Sequence, residues 1–187
     1  MIINFSNIEK NIIKKKYSQN DEDYITVKLI NILETNEIKL VKYYVEFGVE
    51  NGMECNTRIL FKEHNWKGLL MDGGYEDPQI NLKKEFITID NILDLFKKYI
   101  PKKFQNFSLL SIDIDGNDFY IWKIISIKYK PIIVIIEYNH TFGLNDVVIQ
   151  YNFKFTWNKK SNYYNASITA YYNLGKSIGY TLILSFF

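Results

Sequence analysis

Carboxylates are the side chains in this sequence most able to do chemistry. The run Leu109 to Trp122 (LLSIDIDGNDFYIW) begins as an apolar stretch and ends in Asp113, Asp115 and Asp118 around Gly116. With strand alternation, Asp113 and Asp115 share a face, and clustered carboxylates repel unless a cation, a proton or a hydrogen-bond donor sits among them. A later apolar run, IIVIIEYNH (Ile132 to His140), delivers Glu137, Asn139 and His140 to the same sheet edge if the two runs are neighbours. Oxygen ligands from adjacent strand ends suit a hard cation such as Mg²⁺, with Asp113, Glu137 and Asn139 as the candidate metal ligands. The competing reading makes Asp115 and Asp118 caps of the next helix and Glu137 a paired structural acid. His140 follows a strand end and is the better acid/base candidate of the two histidines; His64, beside Asn65 and Trp66, reads as a surface residue.

A second acid-bearing segment, Tyr43 to Gly52 (YYVEFGVENG), places Gly48 and Gly52 at a strand-to-helix turn, where a ligand can approach the backbone closely. A dinucleotide fingerprint has glycines in the pattern GxGxxG, whereas position 50 here is Glu50, whose charge opposes a pyrophosphate and favours a cationic ligand such as a sulfonium with its amino group. An ordinary tight turn is the alternative. Asp72 closes the next apolar run, 24 residues after Gly48. An acid about 20 residues beyond the glycine turn is where nucleotide-binding α/β folds accept ribose hydroxyls.

Elements that alternate strand and helix must position these residues. The pattern predicts strands over Tyr43 to Phe47, Gly68 to Met71, Phe86 to Ile89, Phe107 to Ile112, Ile132 to Tyr138 and Tyr180 to Phe186. Helices are expected over Asn56 to Glu63, Ile80 to Lys84, Ile92 to Tyr99, Asp118 to Ser126 and Ile168 to Ile178, with a helical leader over residues 1–41. Such alternation favours a parallel sheet built from crossover units, with ligands at its carboxyl edge. Residues 139–165 break the pattern; this long polar and aromatic stretch reads as a lid-like insertion.

At 187 residues and 47% apolar content, the chain fills one core, and residues 1–187 read as a single domain. Net charge is +2 with dispersed lysines and one arginine, Arg58, which argues against nucleic acid as a partner. One cysteine, Cys55, excludes an intramolecular disulfide and fits a reducing compartment. Charges at Glu9, Lys10 and Lys14 to Lys16 interrupt the N-terminus before any long apolar run, so no signal peptide or membrane span is expected there. The expectation is a soluble, cytoplasmic protein.

Taken together, VEFGVENGMECNTR (Val45 to Arg58), WKGLLMDGG (Trp66 to Gly74), INLKKEFITIDNI (Ile80 to Ile92), LLSIDIDGNDFYIWK (Leu109 to Lys123), VIIEYN (Val134 to Asn139) and YNASITAYYNLGKSIGYTLI (Tyr164 to Ile183) resemble the FkbM-like branch of class I S-adenosylmethionine-dependent methyltransferases. SIDIDGND followed by IEYN is the most specific part. The resemblance implies a Rossmann-like α/β sheet with helices on both faces and the cofactor over the first strand ends. By that analogy Glu46, Gly48, Glu50 and Gly52 line the cofactor site on its methionine side, Asp72 takes the ribose, and Asp113 sits near the transferred methyl. The sequence departs from the family in two places: Asn165 stands where a glycine is expected before Ala166-Ser167, and the family's last strand is missing after Ile183 to Phe187.

The expected activity is methyl transfer from S-adenosylmethionine to a hydroxyl of a sugar or small molecule, with Asp113 or His140 as the base and Mg²⁺ as an optional cofactor. Two other classes compete. A shortened relative that binds without turnover fits the missing strand. A nicotinamide-dependent oxidoreductase is opposed by Glu50.

Overall fold

The computed structural model describes residues 16–158 and 160–185. The first part of the expected helical leader, including Ile8 and Ile12, and Phe186 of the last expected strand lie outside the described residues. The described part of the leader contains one helix, α1 (Glu22–Thr35). Five strands follow, β1 (Tyr43–Phe47), β2 (Lys67–Asp72), β3 (Leu82–Lys84), β4 (Leu109–Ile112) and β5 (Ile133–Ile136). Helices α2 (Arg58–Glu63), α3 (Ile92–Tyr99), α4 (Asp118–Ile125) and α5 (Ile168–Ser177) complete the order of main elements.

All neighbouring strands pair in parallel, in the order β3-β2-β1-β4-β5. Parallel sheets need both faces covered, and β1 accordingly is buried at every residue. Tyr43, Val45 and Phe47 of β1 join α3, α4 and α5 on one face through Phe96, Ile121, Trp122 and Tyr171. Tyr44 of β1 joins α1 and α2 on the other through Ile30, Leu33 and Leu60. The chain is therefore an α/β protein with a five-stranded parallel sheet and helices on both faces, consistent with a Rossmann-like architecture.

The chain first builds outward from β1 through β2 to β3, then returns to add β4 on β1's other side. That reversal opens a crevice between the carboxyl ends of β1 and β4, the usual ligand position in open α/β sheets. Register brings Phe47 beside Ile112, and Ile112 beside Ile136. One residue further, Gly48, Asp113 and Glu137 come into line at the sheet edge.

Three expected elements differ. The helix predicted over Ile80 to Lys84 is a 3₁₀ turn at Pro78–Ile80 followed by β3, because the Asp77 side chain caps the turn and Asn81 adopts φ +56°, ending the helical course. The strand predicted over Phe86 to Ile89 is irregular. Glu85 N–H makes the last bond to the β2 side, at the Asp72 carbonyl (2.9 Å), and the Asn91 amide then binds Phe86 O and Thr88 N–H, drawing the chain into α3. The strand predicted over Tyr180 to Phe186 is not formed within Tyr180 to Ser185. Side chains tie this segment beside β5, through Tyr180 Oη to the Pro131 carbonyl (2.6 Å) and a Tyr138–Ser185 contact, instead of a backbone ladder among the described residues.

No described helix is long and apolar enough to cross a membrane.

Candidate functional site

The turn after β1 starts with Gly48 at φ +72°, and a Cβ there would lie 1.5 Å from the Asp113 carbonyl oxygen. Only glycine allows β1 and β4 to end in such close contact. Glu50 follows at φ +47°, and its N–H donates to Asp72 Oδ2 (2.9 Å), while Gly74 N–H donates to Asp72 Oδ1 (2.7 Å). The Asp72 carboxylate is thereby fixed at the end of β2, one N–H on each oxygen, leaving further lone pairs for a ligand hydroxyl.

Gly52 serves packing instead of ligand approach. It is buried, a Cβ there would lie 2.5 Å from Ile80 Cδ1, and its carbonyl accepts from the Arg58 guanidinium. Glu46 is also committed internally. Strand alternation turns it toward α2, where it accepts from Asn56 N–H (2.9 Å), Thr57 N–H (2.9 Å), the Thr57 hydroxyl and the Ser111 hydroxyl (3.1 Å). Burial nevertheless pushes its carboxyl above the usual range, against the Thr57 and Asn56 hydrogen bonds that favour the ionised form.

Across the crevice, the loop between β4 and α4 is folded around Asp118. This wholly buried carboxylate accepts from Ile114 N–H (2.9 Å) and Gly116 N–H (3.0 Å), with Asp115 held at φ +64° between them. Burial raises Asp118 to about 7 despite those bonds. The loop presents Asp113 and Asp115 to Glu137, and each can place a carboxylate oxygen within 4.8 Å of the others.

Burial is the largest cause raising Asp113, followed by the charges of Glu137, Asp115 and Glu46. Glu137 is raised by burial and by Asp118, while the Asn165 amide opposes the rise by donating to Glu137 Oε2 (3.1 Å). Asp113 and Glu137 also hydrogen-bond each other, an arrangement that shares a proton. Tyr164 stands close enough for burial, then Glu137, Asp113 and Asp115, to raise its phenol.

Asn165 stands where the family resemblance implies a glycine. Its φ of +51° is the left-handed conformation that glycine would supply, and asparagine also tolerates it. The amide gains two tasks: it donates to Glu137, and its oxygen accepts from Ala166 N–H (3.0 Å) and the Tyr171 hydroxyl. The sequence signal for its place in the acid cluster was a polar residue in a glycine position, two residues before the Ser167 cap of α5.

Asn139, expected as a metal ligand, is fully buried and committed to its own loop. Its Nδ2 donates to Asn162 O (2.7 Å) and Tyr164 O (2.9 Å), and its Oδ1 accepts from Thr141 N–H (3.0 Å) and Oγ1 (2.6 Å). Asp115 takes its place in the cluster of candidate ligands. His140 is exposed and opens a short 3₁₀ turn, His140–Phe142, on the rim of the same cleft.

The cleft thus gathers Glu50, Asp72, Asp113, Glu137 and His140 along one sheet edge, with Gly48 at its centre. From the segment after β5, His140, Phe155, Thr156, Trp157 and Tyr164 line it. Asn139 and Asn165 secure the base of the segment, and Trp157 packs on Tyr164 with ring centroids 4.8 Å apart beside the acids. Three hard oxygen donors in reach of one point fit a divalent cation, and a fixed carboxylate beside a glycine turn fits a nucleoside ribose.

Fold and site together define an α/β protein with a carboxylate-lined cleft at its topological switch point. No family model, curated protein or solved structure matches the chain.

Proposed function

We propose that this protein is an S-adenosylmethionine-dependent methyltransferase of the FkbM-like type, acting on a hydroxyl of a sugar or other small molecule. The observation that carries the reading is the fixed Asp72 carboxylate beside the Gly48–Glu50 turn, with the raised Asp113–Glu137 pair facing it across the crevice. When bound, the cofactor supplies an electrophilic methyl on a sulfonium.

The chain's own work is binding, orientation and proton removal. Asp72 accepts ribose hydroxyls, and Glu50 offers a negative charge to the cationic end of the donor. Catalysis of in-line transfer rests mainly on holding donor and acceptor in position and on taking the hydroxyl proton. Burial and neighbouring acids raise the basicity of Asp113, so its ionised form can take that proton and share it with Glu137. His140, on the cleft rim, is the second candidate base. In the alternative arrangement, Asp113, Asp115 and Glu137, all ionised, would instead hold Mg²⁺, a cation able to lower the acceptor hydroxyl's pKa, and the base would then be His140.

A second reading, a relative that binds the cofactor without turnover, is favoured by one observation: Tyr180 to Ser185 forms no strand beside β5. Calorimetric titration with S-adenosylmethionine, with and without Mg²⁺ and with NADH as control, tests the first reading. Saturable binding of the sulfonium compound, weakened at least ~10-fold in Asp72→Ala, is expected; each lost ribose interaction of about 1.4 kcal/mol is tenfold. A folded chain that binds NADH and not the sulfonium compound overturns it, and binding without methyl transfer to any hydroxyl acceptor favours the second reading.

A further inference from the structure

Beyond the acid cleft lies a second concavity of about 530 Å³, formed by Gln150, Tyr151, Asn152, Phe155, Thr156 and Tyr163, with Lys154 at its side. Ligand sites commonly occupy about 300–1,000 Å³, so this space accommodates a small ring compound. The lining has a distinct chemistry. One largely exposed aromatic ring, Tyr163, borders a mainly polar surface, and an amide or hydroxyl group on Gln150, Asn152 and Thr156 supplies hydrogen-bonding capacity. No carboxylate lines the space. A single exposed ring among neutral donors and acceptors matches a pyranose, which presents a C–H face and a rim of hydroxyls.

The concavity is built, not incidental to a loose loop. Asn117, at the start of α4, grips Asn152 with both ends of its amide, donating to Asn152 O (2.8 Å) and accepting from Asn152 N–H (3.3 Å). Tyr120 of α4 donates to Ile149 O (2.9 Å), and its ring packs edge-on to Tyr151 at 5.4 Å. Phe155 lies against Gly116, where a Cβ would come within 2.2 Å of its ring. Tyr163 is held across the space by the Gln150 N–H, which donates to its hydroxyl (3.1 Å), yet the residue remains 52% exposed. Asn152 Oδ1 accepts from Lys154 N–H (3.0 Å), so its amide nitrogen is the end available to a ligand. An exposed aromatic held in place at low entropic cost is a binding platform.

Phe155 and Thr156 also line the acid cleft, so the two spaces adjoin at these residues. We propose that the concavity at Gln150–Thr156 and Tyr163 is a saccharide-binding subsite that holds a non-reacting sugar ring of a ligand extending into the acid cleft. The ligand class is therefore a neutral oligosaccharide or glycoconjugate of at least two rings. That the bound ring is the non-reacting one rests on the proposed reaction in the acid cleft, whereas saccharide binding at the concavity is tested without it.

The test uses the full chain without any cofactor. A glycan array of neutral mono- to tetrasaccharides is screened, and hits are titrated by calorimetry against wild type, Tyr163→Ala and Tyr163→Phe. Saturable binding is expected, about tenfold tighter for a di- or trisaccharide than for its single sugar, since a second ring adds contacts worth about 1.4 kcal/mol per tenfold. Tyr163→Ala should weaken it at least tenfold, whereas Tyr163→Phe, which keeps the ring and loses the hydroxyl that the Gln150 N–H holds, should fall between wild type and Tyr163→Ala. No binding anywhere on the array, equal affinity for one ring and several, or equal binding by wild type and Tyr163→Ala overturns the subsite; should Tyr163→Ala prove unfolded, Tyr163→Leu, which removes the ring and keeps apolar bulk, replaces it, and wild-type affinity in that variant overturns the ring platform. S-adenosylmethionine affinity is measured in parallel: glycan binding without it sinks the methyl-transfer reading alone, and the reverse sinks the subsite alone.

Discussion

At the scale of single residues, the acid cluster depends on a donor that is neither an acid nor a base. Asn165 supplies a left-handed backbone, an amide hydrogen for Glu137 and an oxygen for the buried Tyr171 hydroxyl. Asn165→Gly keeps the backbone conformation and loses the amide, whereas Asn165→Ala loses both. A left-handed non-glycine residue costs roughly 1–2 kcal/mol, and orphaning a buried hydrogen-bonding group about 1–3 kcal/mol. The expected order in urea denaturation is wild type, then Asn165→Gly, then Asn165→Ala, with the last about 2–4 kcal/mol below wild type on the same terms. An alanine variant as stable as the glycine variant would show that the backbone conformation carries no strain. The sequence made Asp72, Asp113 and Glu137 visible because each ends an apolar run. It hid the commitments of Asn139 and Asn165, since their partners, such as Tyr164 O and Glu137, lie more than 20 residues away and come close only through the fold.

At the scale of elements, the loop between β4 and α4 and the 139–165 segment act as one unit. Gly116 marks their closest approach, and Gly116→Ala would drive a methyl group into the Phe155 ring at 2.2 Å. Overpacking of this kind costs typically about 1–3 kcal/mol. Because the obstacle is one side chain, Phe155→Ala should recover much of that loss, giving a coupling of about 1–2 kcal/mol in a double-mutant cycle read by thermal unfolding. Additive effects would mean that the two segments are not in contact. Central strands were legible as continuous apolar runs, and β1 falls on its expected residues, Tyr43 to Phe47. β3 was not. Ile80 and Leu82 lie two apart in a lysine-flanked stretch too short to establish a period, and the decision rests on the Asp77 cap and the left-handed Asn81. The final segment misled for the opposite reason: Tyr180 to Ser185 has the composition of a strand, but composition does not supply a backbone partner.

At the scale of the whole molecule, the buried acids make stability depend on pH in an unusual direction. Burial raises Glu46, Asp113, Asp118 and Glu137 above their unfolded values, with Asp118 reaching about 7. A carboxyl raised on folding prefers its neutral form in the folded state, so the unfolded chain releases protons first as pH rises. The stabilisation is fully present below the unfolded values, near 4, and is lost as pH climbs through the folded ones. Asp23 works the other way. Burial opposes its ionisation, but N–H donors from Tyr17, Lys16 and Tyr24 and a contact with Ser18 outweigh it and hold the carboxyl low, so its contribution is lost as pH falls. Four raised acids against one well-buried lowered one place the stability maximum on the acidic side of neutrality. The unliganded chain should melt roughly 5–10 °C lower at pH 8 than at pH 5, since about 1 kcal/mol corresponds to ~2–4 °C for a chain of this size. Divalent-cation ligands must be deprotonated, so millimolar Mg²⁺ should recover more of the melting temperature at pH 8 than at pH 5. In Asp113→Asn, both the pH slope and the Mg²⁺ response should shrink together. A melting temperature that rises steadily from pH 5 to pH 8 would mean that the acid cluster carries no shared proton into the fold.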